Sequence, residues 1–396
     1  MITIRMTKPL ALAALLMLGT APGAFAEVDE AMLARLKSYA AEQGATLAWN
    51  NVNEFTNDED EEVTSLTDVK VTSEGRTTPI SQIDLVGVEE EDGGWRIGSL
   101  RMPSLTITED DSEVWLYDVS VDGLLLPAEG AQEDSTVPSY TGAGVREMQV
   151  RIKDNDVFKL SDFHMEVSPP EDGGPMEFSG AAESFHVDLA GVEDESARAA
   201  LDKMGYQQLG GYLEMAGSWN QSDGHLALSQ FDISVEDAGT FGISLDLGGY
   251  TPELMASLRK LQAQMAANPD GDNSAAGIAM LGLMQQMTFQ SARIEFTDDS
   301  LTSRALDLVA SQQGAKPADV ANQAKALVPF AMMKLNNPEL TQMVTQAVSS
   351  FLDNPQNFAI IAQPPAPIPF ALIAAGAMGA PQTLPQQLGV KVVANE

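Results

Sequence analysis

The sequence predicts an α+β fold: a mostly antiparallel sheet with C-terminal helices packed on one face. Three observations carry this reading. Apolar and polar residues alternate with a period of two from Trp115 to Leu247, helical periodicity dominates after Leu247, and the two patterns are segregated along the chain. A doubly wound sheet would interleave them instead.

The chain opens with Arg5 and Lys8, then the apolar run LALAALLML at residues 10–18, then Ala24-Phe25-Ala26 before Glu27. That is the pattern of a secretory signal peptide cleaved after Ala26. Its apolar run is shorter than the ~20 residues that span a bilayer. A second apolar stretch, 358–380, is interrupted by Pro364, Pro365, Pro367 and Pro369. The expectation is a protein with no transmembrane segment after cleavage, periplasmic or secreted. It would comprise a leader at 1–26, a strand-rich region at 27–194 and a mixed strand and helix region at 195–396 through which the same sheet can continue.

Beyond the leader, Met32, Leu36 and Tyr39 share one face of a first helix. Strands follow. Trp115, Tyr117, Val119 and Val121 alternate with Leu116, Asp118, Ser120 and Asp122, and Met148, Val150 and Ile152 alternate with Gln149, Arg151 and Lys153. The period returns at Phe163/Met165/Val167, Phe185/Val187/Leu189, Phe231/Ile233/Val235 and Phe241/Ile243/Leu245/Leu247, as expected of antiparallel strands with one solvated side. Acidic, glycine-bearing segments at Glu91-Asp92-Gly93-Gly94, Glu171-Asp172-Gly173-Gly174 and Glu236-Asp237-Ala238-Gly239 read as turns. A short helix is expected over 196–204, with strands over 213–219 and 226–235. Thr251-Pro252 and Asn337-Pro338 each read as a helix cap followed by a first-turn proline. Between them a strand is expected at 292–297, and helical faces at Leu301/Ala305/Leu308, Val320/Ala324/Leu327/Ala331 and Leu340/Val344/Ala347/Phe351. The end, 389–393, reads as a strand.

Composition excludes several functions. The 396 residues carry 57 acidic and 22 basic side chains, a formal charge of −35, and no cysteine. A phosphate backbone requires stripes of Lys and Arg, so nucleic acid is not a natural partner. Disulfides, thiolate chemistry and cysteine-ligated zinc are impossible. With 44% hydrophobic residues the chain can still bury a core.

The residues that usually carry catalysis are sparse. His164, His186 and His225 lie on separate strands with no metal-binding spacing. No Gly-x-Ser-x-Gly turn occurs, and Ser257-Leu258-Arg259-Lys260 lacks the partner motifs of penicillin-recognising enzymes. Asp270-Gly271-Asp272-Asn273 begins like a calcium loop, but Ala275 and Leu281 stand where that loop needs its glycine and glutamate. The acidic runs at 57–62 and 109–111 read as solvated loops. No catalytic residue, metal ligand or cofactor is assigned, and the expectation is a protein without enzymatic activity. The alternatives are a hydrolase using a carboxylate pair without a recognisable motif, and an acidic structural or secreted protein.

Two features suit contact with an apolar ligand or partner. Met280, Met284 and Met287 form a stripe at helical spacing, with Met332, Met333 and Met343 further on; flexible thioethers line adaptable grooves. The segment 364–380, including Phe370 and Ile373, is almost wholly apolar, so its exposure would be unfavourable.

From Gly217 the order Gly217-Ser218-Trp219, His225-Leu226-Ala227-Leu228, Phe231-Asp232-Ile233, Asp237-Ala238-Gly239 and Ile243-Ser244-Leu245 is followed by ARIEFTDDSL at residues 292–301 and by Ala310, Gly314 and Pro317. This order resembles exported proteins of Gram-negative bacteria grouped as a domain of unknown function, which are distantly similar to the AsmA-like envelope proteins. The resemblance covers the C-terminal half and consists of patterning, so no functional residue is carried across. It implies an extended, curved sheet with helices against it, located in the envelope, with lipid or an envelope protein as partner in envelope assembly or maintenance. AsmA-like proteins keep an N-terminal membrane anchor, which this chain would lose on cleavage.

Overall fold

The computed structural model describes residues 30–73, 75–109, 111–130, 140–170, 174–192, 194–267 and 274–396. The expected leader, most of the turn at 171–174, Asp110 in the run at 109–111 and the loop at 270–273 lie outside them. Among the described residues there are sixteen strands and nine α-helices, with the strands laid antiparallel in open sheet. The chain divides into two compact units, one running to Ser168 and including Gly180–Glu195, the other comprising Pro169–Ser179 and Ser196–Glu396.

In the first unit, helix α1 (Glu30–Glu42) precedes β1 (Ala45–Ala48) and β2 (Asn51–Thr56), both of which pair with β3 (Glu62–Ser73). The strands β4 (Arg76–Glu91), β5 (Gly94–Glu109), β6 (Ser112–Leu126), β7 (Gly142–Ile152) and β8 (Asn155–Ser168) then follow as successive hairpin neighbours. The expected Asp92-Gly93 turn joins β4 to β5 with both residues at positive φ, 50° and 75°, the geometry that matches strand twist in a two-residue hairpin. Met32, Leu33, Leu36 and Ala40 of α1 pack onto Leu66, Val69, Leu85, Ile97, Leu100 and Leu126 of the sheet, all buried. Each such side chain contributes on the order of 1.5–3 kcal/mol.

Strict alternation put Trp115, Tyr117, Val119 and Val121 on one face, and the structure corrects this. Leu116 (6% exposed) and Val119 (4%) both belong to the core, an odd separation that unbroken alternation forbids. The cause is Asp118, held at φ 47°. A left-handed residue within a strand turns the backbone and shifts the side-chain phase by one, while the register with β5 and β7 stays the same on both sides of it. Trp115 projects to the face opposite its neighbour Leu116, its ring 4.6 Å from the Arg151 guanidinium.

Strand β9 (Met176–Asp188) is divided between the units after Ser179, and the second unit resumes at Ser196 in α2 (Glu195–Met204) and continues through β10 (Gln208–Asn220), β11 (His225–Val235) and β12 (Gly239–Gly248). Helices α3 (Pro252–Ala267) and α4 (Ser274–Met284) lead to β13 (Thr288–Asp298), then α5 (Leu301–Gln313), α6 (Pro317–Met332) and α7 (Pro338–Asp353). The chain closes with β14 (Asn357–Ala362), β15 (Ile368–Pro369), α8 (Phe370–Gly379), α9 (Leu384–Gln387) and β16 (Val390–Ala394). Strands pair in the order β10-β11-β12-β13-β14-β16.

Both predicted caps form: the Leu340 N–H donates to Asn337 Oδ1 at 2.9 Å and the Leu254 N–H to Thr251 Oγ1 at 3.3 Å. Helix α7 packs along β16, with the Val392 N–H 3.0 Å from Met343 Sδ, and Phe351 meets Phe358 edge-on at 5.9 Å. In the proline-rich apolar tail, Ile368 and Pro369 pair with Phe289 and Thr288 of β13. Such a two-residue bridge is short enough to tolerate proline.

Candidate apolar binding face

The strands of the second unit bring apolar side chains into register across the sheet. Ile233 lies opposite Phe241, Phe241 opposite Phe296, and Phe296 opposite Phe358. One step along, Ile243, Ile294 and Ile360 form a second row that ends at Val392. A third contains Leu228, Leu245, Ala292 and Ala362. Directly paired residues project to the same side of a sheet, so these rows form one apolar face.

Two glycines shape it. Gly239, at φ 150°, has the Phe296 ring so close that an added Cβ would come within 2.9 Å of it, and at Gly217 an added Cβ would fall 2.3 Å from the Phe178 ring.

The face is only partly covered. Val392, beside α7, is buried, whereas Phe241, Ile294 and Ile360 remain 41%, 44% and 43% exposed. The later helices therefore do not roof the middle of the sheet. Out of phase with these residues stand polar ones: Arg293 Nε donates to Glu295 at 2.8 Å, and His225 Nε2 lies 2.7 Å from Asp246 Oδ1. The Glu295 carboxylate beside Arg293 raises the guanidinium above its ordinary range. The two sides of the sheet thus differ sharply in chemistry.

In the first unit a similar face runs out from beneath α1. Leu105 and Leu116 are buried, and the register continues from Leu116 to Met148 and then to Leu160, which are half-buried.

Of the residues singled out in the sequence, Met280 and Met284 lie on α4, and Phe370 and Ile373 on α8. Met287 is a correction, because it falls outside the helix in the link to β13. Its carbonyl accepts the Phe370 N–H at 3.0 Å, and Phe370 meets Phe289 edge-on at 6.4 Å. Helices α4 and α8 are in contact, so two features far apart in sequence become neighbours. All five side chains are half-buried. Met332 and Met333 line a separate groove of about 650 Å³ between α6 and α7, together with Pro329, Pro338, Thr341 and Thr345.

Sequence reasoning did not nominate Ile294 and Ile360. The signal was present in Ile294/Phe296 alternating with Arg293/Glu295, and in Phe358/Ile360 alternating with Ala359. What was not visible is that Ile294 and Ile360 stay 44% and 43% exposed in the fold.

The three histidines stay apart: His164 and His186 are exposed on different strands, and His225 pairs with Asp246. Ser257 Oγ donates to the Glu253 carbonyl within its own helix. Among the described residues no cluster of three or more His, Asp or Glu side chains could hold a metal ion, and no helix is long and apolar enough to cross a membrane.

A family model described as "Uncharacterized protein" matches residues 232–395. That span contains most of the apolar face together with α3 to α9. No curated protein matches the chain.

Proposed function

We propose that the protein is a non-enzymatic binding protein of the periplasm that holds an apolar ligand, a lipid acyl chain, along the open sheet face of the second unit. The observation that carries this is the pair of cross-strand rows, Phe241/Phe296/Phe358 and Ile243/Ile294/Ile360, whose central members remain exposed. Apolar area left in contact with water is worth roughly 25 cal/mol per Å² on being covered, and a contiguous exposed apolar patch on a chain of net charge −35 marks a site for a ligand or partner. The leader pattern at residues 1–26 supports the periplasmic placement. The resemblance to exported proteins that are distantly similar to the AsmA-like envelope proteins supports lipid handling in envelope assembly or maintenance. Native mass spectrometry and lipid extraction of protein purified from periplasm test the reading. Co-purifying lipid released by organic solvent is the expected result, whereas a ligand-free protein that also fails to bind a fluorescent fatty acid overturns it.

A further inference from the structure

Helices α4 and α8 are apolar on all sides, yet α8 buries none of its residues. Ile278 and Leu281 of α4 and Leu372 and Met378 of α8 point outward, with Ile278 72%, Leu372 61% and Met378 79% exposed. A helix of this composition is normally enclosed by protein or lipid. The charge distribution is equally unusual. Residues 273–292 and 354–390 contain no Asp, Glu, Lys, Arg or His, in a chain that is 20% charged. Contact between α4 and α8, and pairing of β13 with β14 and β15, bring these two tracts together. The patch is bordered by uncharged polar side chains such as Gln285, Gln386 and Gln387, all exposed.

We propose that the paired helices α4 and α8 dock the protein on the surface of a bilayer of uncharged or zwitterionic headgroups. Charge complementarity selects this occupant. An anionic surface would repel a body of charge −35, and a second copy would bring the same surplus charge against it. A protein interface usually contains about one hydrogen bond per 100–200 Å², but no side chain of α8 can donate or accept one apart from weak contacts of the Met378 sulfur. Hydrocarbon makes no such demand. At about 1.5 Å per residue each helix reaches only about half of a ~30 Å hydrocarbon layer, so the pair lies in the interface and does not span it. This inference stands on the helices alone and does not depend on what the sheet face holds.

The test is flotation of the protein, in the form the cell produces, with phosphatidylcholine vesicles and with the same vesicles doped with phosphatidylglycerol. The wild type is expected to float with phosphatidylcholine and less with the doped vesicles, the deficit shrinking as salt screens the repulsion. The variants I278E/L372E and M378E are expected to lower partitioning by about tenfold or more. M378E changes the most exposed of these residues, and far-ultraviolet circular dichroism establishes that each variant is folded. Titration with a fluorescent fatty acid reads the sheet face separately and is expected to be unchanged by these substitutions. Flotation unaffected in the folded variants, binding to anionic vesicles alone, or a wild type that dimerises through Ile278 and Leu372 without touching vesicles would each overturn the proposal.

Discussion

Ile294 of β13 lies directly opposite Ile360 of β14, and both residues remain more than two-fifths exposed. An isoleucine pair in the middle of a sheet, flanked by Ile243 on one side and Val392 on the other, normally has a covering layer. Here it belongs to the surface offered to a ligand. Replacing both with aspartate removes two partly covered side chains and sets like charges directly opposite, so it should cost roughly 2–3 kcal/mol of folding stability, and circular dichroism establishes that the variant is folded. The double replacement should weaken apolar ligand binding by roughly thirtyfold, as about 1 kcal/mol is lost at each of the two partly covered isoleucines. Fluorescent fatty acid titration of I294D/I360D decides the matter, and an unchanged dissociation constant would place the ligand elsewhere.

Asp118 offers a test of how the core of the first unit keeps its phase. Its φ of 47° is tolerable for aspartate and easy for glycine, but strained for a β-branched residue. D118V should therefore be less stable than D118G by about 1–2 kcal/mol in urea unfolding. Both variants lose the exposed ion pair with Arg146, so that loss cancels in the comparison. Equal stabilities would mean that the left-handed residue can relax and does not set the side-chain phase.

These two cases show which features were legible in the sequence. Local signals were read correctly: the caps at Thr251 and Asn337 and the Asp92-Gly93 turn each depend on residues within four positions. The phase shift at Asp118 was not legible, because an aspartate in the polar phase of a strand looks the same whether or not its backbone is left-handed. Nor was the contact of α4 with α8, which depends on pairing between segments some eighty positions apart. The Lys153-Asp154 turn between β7 and β8, with φ of 48° and 66°, was missed for a simpler reason. It adopts the backbone of an Asn-Gly turn without a glycine to announce it.

Arg35 is a buried cation in an otherwise apolar helix face. Its Nε donates to the Pro127 carbonyl, its two terminal nitrogens contact the Glu42 carboxylate at 2.9 and 3.1 Å, and its guanidinium lies 5.4 Å from the Tyr39 ring centroid. R35M keeps much of the packing but leaves the carbonyl and carboxylate without the fork, and should cost about 2–3 kcal/mol. R35K should fall between, since an ammonium cannot satisfy three acceptors in a plane. Denaturant midpoints of the three proteins check the order, and a lysine variant as stable as wild type would show that charge alone suffices.

Acid sensitivity should have two regimes. Hydrogen bonds from Lys159 to Glu147, from Arg151 to Asp156 and from Arg96 to Glu91 hold these carboxyls below their ordinary range. A carboxyl depressed in the folded state contributes stability above its unfolded pKa, and that contribution fades as pH falls from about 4 through the folded value. The pairs are mostly exposed, so each is worth little, and the loss appears only below that point. Between pH 7 and about 5 the opposing effect dominates, because the net charge of −35 repels itself and each proton taken up relieves it. At low salt the thermal midpoint should rise from pH 7 to about 5 and then fall below about 4. At about 1 M salt, where screening acts within ~3 Å, the rise should flatten while the fall remains. Replacing Lys159 with methionine should weaken the fall without touching the rise. A midpoint that declines steadily from pH 7 at low salt would mean that the acidic surplus is compensated locally, and that charge repulsion does not limit this fold.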